Sequence, residues 1–80
     1  MEEEYYFRKE IRERFLQVLK KDGRTLRAIA KESGVSDAVI GKYRDGAYLP
    51  NAYSIAKLCK ALNVSADWLL GLSDKGGPEE

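Results

Sequence analysis

The sequence predicts an all-α domain, a compact bundle of five short helices. Three observations predict it. Apolar residues recur every three to four positions, no segment alternates with the period of two that a strand needs, and residues that start and stop helices punctuate the chain at regular intervals.

The first helix runs from Glu4 to Lys21, a stretch without Gly or Pro. Phe7, Ile11, Phe15, Val18 and Leu19 form its apolar stripe, with successive spacings of 4, 4, 3 and 1. Acids open it and Lys20-Lys21 closes it, which suits the helix dipole. Asp22-Gly23 ends it. Thr25 is an N-cap for a second helix, Leu26 to Ser33, with Leu26, Ile29 and Ala30 inward. Gly34 breaks that helix. Ser36 caps a third, about Asp37 to Arg44, with Ile40 and Tyr43 inward and Asp45-Gly46 at its end. After the loop Ala47 to Pro50, Asn51 caps a fourth helix that buries Ile55, Leu58, Cys59 and Leu62. Asn63 takes the left-handed position at its end in place of Gly. Ser65 caps a last short helix containing Trp68, Leu69 and Leu70. Residues 1–72 thus form one domain, and 73–80, polar and rich in Gly and Pro, read as a flexible tail or the start of a linker.

Eighty residues leave room for one core only. Cys59 is the single cysteine and there is no His, so disulfide scaffolds and zinc fingers are excluded and no cofactor or metal is expected. The same cysteine usage, an acidic amino terminus and the lack of a long apolar run fit a cytoplasmic protein with no membrane partner. No nucleophile stands beside a base and no Gly-rich phosphate loop is present, so an enzyme is not expected. Net charge is only +1, but its distribution is uneven. From Arg8 to Lys60 there are 13 Lys/Arg against 6 Asp/Glu, an excess of +7, whereas the remaining positions together carry −6. A basic body with acidic ends is consistent with a polyanionic partner.

The most informative segment runs from Thr25 to Gly46. Ala30 lets the second and third helices approach closely, Gly34 permits the tight turn between them, and Val35 and Ile40 hold the third against the second. This leaves Asp37, Ala38, Gly41 and Lys42 on an outward face, with Val39 at its border. A helix so presented fits a DNA major groove, about 12 Å wide.

These residues resemble the Cro/phage-repressor (Xre-like) helix-turn-helix family from about Phe7 to Leu72. The likeness rests on Ile29-Ala30, Gly34-Val35-Ser36, Ile40, Gly46, Pro50 and the ending Ala61 to Gly71, in order and at the right spacing. It implies a lambda-repressor-like bundle, a third helix in the major groove, and a dimer on paired half-sites. Three departures stand out. The Gln that often opens the family's second helix is Leu26 here. The positions of a frequent Arg–Glu pair between the first and third helices are Leu19 and Arg44, which leaves Arg44 free to face solvent or a phosphate. Asp37 opens the recognition helix, where it would meet a cytosine amino group or only order the turn. Cys59 falls where the family usually has Ala and is expected to be a buried thiol.

The expected function is sequence-specific binding of double-stranded DNA by a transcriptional regulator of repressor type, phage or bacterial. Candidate base contacts are Ser36, Asp37, Ala38, Val39, Gly41 and Lys42. Candidate phosphate contacts are Arg24, Thr25, Arg27, Lys31, Tyr43, Arg44, Tyr48 and Asn51. Each of the charged ones has an ordinary alternative as solvated surface charge, and Asn51 as a cap. The partner would be a two-fold symmetric operator bound by a homodimer, with Leu70 and Leu72 as candidate dimer contacts and an association weak enough to form only on DNA. Tyr5, Tyr6 and Phe7 either lengthen and anchor the first helix or form a protein-contact surface. The alternative function is a protein-binding adaptor on the same fold, antitoxin or anti-repressor-like. Asp37, the missing Gln and the low net charge favour it, and strong salt dependence of duplex binding would count against it.

Overall fold

The computed structural model describes residues 2–78; Met1, Glu79 and Glu80, the outer ends of the expected domain and tail, lie outside the described residues. Five helices follow in order: α1 (Glu2–Asp22), α2 (Leu26–Ser33), α3 (Asp37–Asp45), α4 (Ala52–Leu62) and α5 (Ala66–Leu69). No strand occurs among the described residues.

The caps fall where the side chains predict. Thr25, Ser36, Asn51 and Ser65 hold extended backbone, and the side chain of each accepts a hydrogen bond from a backbone N–H in the following turn. At the other ends, Gly34 and Gly46 take left-handed backbone, and so does Asn63 (φ 58°). Asn63 is the only non-Gly residue with positive φ among the described residues, a conformation that its short polar side chain tolerates.

Every helix contributes to one core. Phe15 and Val18 come from α1, Ile29 from α2, Ile40 and Tyr43 from α3, Leu58, Cys59 and Leu62 from α4, and Trp68 and Leu69 from α5, with Val35 filling the α2–α3 turn. Phe15 and Tyr43 meet edge to face, ring centres 6.5 Å apart. The Tyr43 hydroxyl donates to Ser54 Oγ at 3.1 Å, so two buried polar groups satisfy each other between α3 and α4. Burial also raises the Cys59 thiol above its ordinary value, since the thiolate loses hydration there.

Two expectations need correction. Phe7, placed above on the buried stripe of α1, is 52% exposed. The stripe is real, but before Ile11 it meets only the edge of the Leu70–Gly71 turn, and every residue from Glu2 to Glu10 is exposed. Periodicity reports which residues share a face, not where the packing partner stops. The second correction concerns the tail. Its described part, 73–78, folds back on the domain. Ser65 N–H donates to Gly76 O at 2.8 Å, and Arg14 Nη1 donates to Ser73 O at 2.9 Å and to Trp68 O at 2.7 Å. The Arg14 guanidinium also lies 5.1 Å from the Trp68 ring centre and bonds Glu10 at 2.7 Å. One half-buried arginine therefore ties α1, α5 and the tail together.

Candidate nucleic-acid interface

The α2–α3 unit carries the candidate site, and its rigidity begins with its caps. Ala28 N–H donates to Thr25 Oγ1 at 3.1 Å, and Val39 N–H to Ser36 Oγ at 3.2 Å. Val35 N–H donates to Ser33 Oγ at 3.1 Å inside the turn. Ile29 and Ile40, both fully buried, anchor the inner faces of the two helices. What remains outside is a shallow groove lined by Arg27, Lys31, Gly34, Ser36 and Asp37, continuing onto the outer face of α3.

On that outer face Ser36, Asp37, Ala38 and Lys42 are exposed, while Val39 and Gly41 are half-buried at its border. All six candidate base-contact residues therefore lie on or beside one surface. Small side chains dominate it, so a flat base-pair edge can approach the helix closely. Lys42 has no ion-pair partner among the described residues; its amino group lies 5.7 Å from the Tyr48 ring centre. The exposed Tyr48 thus props the lysine at the carboxyl end of α3.

The candidate phosphate contacts divide into two groups. Arg27 and Lys31 are exposed on α2 and carry no ion pair among the described residues, so their charge faces solvent uncompensated. Thr25 and Asn51 are exposed caps, and Asn51 Oδ1 accepts from Ser54 N–H at 2.8 Å. The others are engaged within the protein. Arg24 donates to Asp22 at 2.8 and 3.0 Å, to Glu32, and to Ala61 O at 2.9 Å, bridging the α1–α2 turn to α4. The Arg24 hydrogen bonds hold the Asp22 carboxyl below the usual carboxylate range, and Asp22 and Glu32 in turn raise Arg24 further. Arg44 faces solvent but pairs with Asp45 at 2.9 Å, which raises Arg44 and lowers Asp45. Its carbonyl accepts from Arg12 Nε at 3.0 Å. Tyr43 is buried with its hydroxyl on Ser54, so it is a core residue and not a backbone contact. An inward position at i+3 from Ile40 already pointed that way.

Sequence reasoning passed over Lys57 and Tyr53. Lys57 Nζ lies 4.6 Å from the Tyr53 ring centre and donates to its hydroxyl at 3.2 Å. A Cβ placed on Gly34 would lie 2.9 Å from the same nitrogen, so this cation sits against the turn between α2 and α3. The signal was the i, i+4 pairing of an aromatic with a lysine on α4. At the far end of the molecule the two candidate dimer contacts differ: Leu70 is half-buried and Leu72 is 68% exposed.

No helix among the described residues is long and apolar enough to cross a membrane. Compared with known families, residues 16–69 match the family model described as Helix-turn-helix. No curated protein and no solved structure gave a match. The matched span opens one residue after Phe15 begins the α1 core and closes at Leu69, so it covers the α2–α3 unit and most of the core beneath it.

Proposed function

Since the chain belongs to the Cro/C1-type (Xre-like) helix-turn-helix family of DNA-binding transcription regulators, we propose that it binds a specific double-stranded operator and acts as a repressor in a bacterial or phage setting. One observation carries the finer reading: α3 offers an exposed face of small residues ending in Lys42, flanked on α2 by Arg27 and Lys31, none of the three cations having an ion-pair partner among the described residues. In this reading α3 lies in the major groove. Lys42 donates to guanine, Ala38 and Val39 meet thymine methyl groups, and Asp37 accepts from a cytosine amino group. Ser36 and Gly41 clear the approach. Arg27, Lys31 and the caps at Thr25 and Asn51 meet phosphates, which fix the register without reading sequence. Arg44 and Tyr48 lie beside the phosphate backbone at the carboxyl end of α3. Two copies on a symmetric site, one helical turn apart, double the base pairs read. The function needs no catalysis.

Titration of Lys42→Ala against duplexes tests the role of α3. The variant is expected to lose roughly 1–3 kcal/mol on the preferred duplex and to relax choice at one base position. An equal loss on every duplex would reduce Lys42 to a phosphate contact. Duplex affinity that ignores salt would instead favour the protein-binding adaptor.

A further inference from the structure

Two faces of the exposed half of α1 differ in charge. Residues three, four and seven positions apart share one face of a helix. Glu3, Tyr6, Phe7 and Glu10 form one such row, which borders the Leu70–Gly71 turn. Tyr5, Arg8, Lys9 and Arg12 form another, which borders the loop after α3. This second row is basic. It makes one side of a shallow groove whose other side is Gly46, Tyr48 and Leu49, and Glu13 is the one carboxylate that lines it.

The cations of the groove are open to solvent. Arg8, Lys9 and Arg12 are all exposed. Lys9 and Arg12 have no ion-pair partner among the described residues, and Arg8 has only the exposed Glu4, a surface pair of small worth. Arg12 Nε donates to Arg44 O at 3.0 Å, which fixes the guanidinium at the carboxyl end of α3 and leaves its Nη groups without a hydrogen bond among the described residues. The two tyrosines of the groove are 59% (Tyr5) and 56% (Tyr48) exposed. Each stands beside a lysine: Lys9 Nζ lies 6.0 Å from the Tyr5 ring centre, and Lys42 Nζ lies 5.7 Å from that of Tyr48.

Position identifies the ligand. Tyr48 both lines the groove and props Lys42, and Arg12 grips the last turn of α3, so the groove is continuous with the carboxyl end of the DNA-facing helix. Its α1 side precedes the matched residues 16–69 and so is a feature of this chain beyond the helix-turn-helix match. Tyr5 to Arg12 covers about 10 Å of helix, the rise of about three base pairs. Arginine, lysine and the tyrosine hydroxyl all donate to phosphate oxygens.

We propose that this groove is a second backbone contact, in which Arg8, Lys9 and Arg12, with Tyr5, hold phosphates that flank the base pairs read by α3. It rests on the duplex-binding reading above and adds to it a contact outside the α2–α3 unit. Phosphates carry no sequence, so the groove adds affinity and salt dependence without changing base choice. The row of Glu3 and Glu10 lies on a different face of the helix and repels phosphate, so α1 meets the duplex with its basic side.

Titration of two duplexes tests it. One ends at the site that the unaltered chain selects from random sequence; the other extends that site on each side by about five base pairs, longer than the basic row. The unaltered chain is expected to bind the extended duplex more tightly and with the steeper salt slope. Arg8→Gln combined with Lys9→Gln leaves Arg12 to its contact with Arg44. This double variant should keep its choice of bases and its affinity for the short duplex, and lose about two units of slope on the extended one. Lys9→Gln alone should lose about one unit. Lys60→Gln combined with Lys75→Gln removes the same charge from residues that line neither this groove nor the one at the α2–α3 turn, and should keep the slope of the unaltered chain. Circular dichroism separates a lost contact from lost folding. Folded variants at Arg8 and Lys9 that keep the original slope on the extended duplex, or an equal loss when Lys60 and Lys75 are changed, would overturn the groove alone. An unaltered chain that binds neither duplex would overturn the duplex-binding reading with it.

Discussion

Arg24 and Arg27 stand three positions apart on the edge of the same unit, and their surroundings give them different work. Arg24 is clamped by Asp22, Glu32 and a carbonyl of α4, while Arg27 points its charge into solvent. Arg24→Ala is therefore expected to lower thermal stability and leave the salt slope of duplex binding almost unchanged. Arg27→Ala should do the reverse, keeping the melting temperature and reducing the slope by about one unit. The Arg24 clamp also sets an acid limit. Asp22 is held below its ordinary value, so its share of stability is present above about pH 4 and is lost as pH falls through the lowered folded value. Asp22→Asn should flatten that acid limb of a stability–pH profile. The sequence showed both arginines as basic residues near a turn; it could not show which was already paired, because Glu32 and Ala61 reach Arg24 only after α2 and α4 pack. Tyr43 carried its answer in the sequence, in its spacing from Ile40.

Helix boundaries were the most legible feature, because each depends on one or two local residues. Thr25, Ser36, Asn51 and Ser65 cap their helices, and Asn63 turns left-handed, through contacts within a few positions in sequence. The ends of the chain were harder, since their fate rests on distant contacts. Gly76 and Gly77 resemble a flexible linker in composition. In the fold they are glycines because there is no room: a Cβ on Gly77 would lie 2.6 Å from the Trp68 indole, and one on Gly76, at φ 87°, 2.5 Å from Ser65 Cβ. Gly77→Ala should force the tail off Trp68. The expected readout is a red shift in tryptophan emission and a loss of stability of up to about 1–3 kcal/mol. Unchanged emission would mean that the tail does not cover the indole in solution. The opposite error occurred in α1, where a regular stripe suggested burial back to Phe7 although only the edge of the Leu70–Gly71 turn lies beside it there.

For the molecule as a whole, charge is sorted by place. The basic body and the acidic ends nearly cancel to +1, yet Arg27, Lys31 and Lys42 on the α2–α3 surface have no ion-pair partner among the described residues. The fold was legible because five helices with clear caps and one stripe each have few ways to close a single core of this size. The candidate base-contact face was legible for the same reason, being what α3 has left once Ile40 and Tyr43 are inside. Which cations are available on it was not, because pairing is a property of the packed molecule. The central claim is that this face reads sequence in duplex DNA. Selection from a library of random duplexes tests it most directly. The expected result is enrichment of one site with two related half-sites about 10 base pairs apart, bound more weakly as salt rises. Recovery of unenriched random sequence after repeated rounds, from a protein shown to be folded, would contradict it.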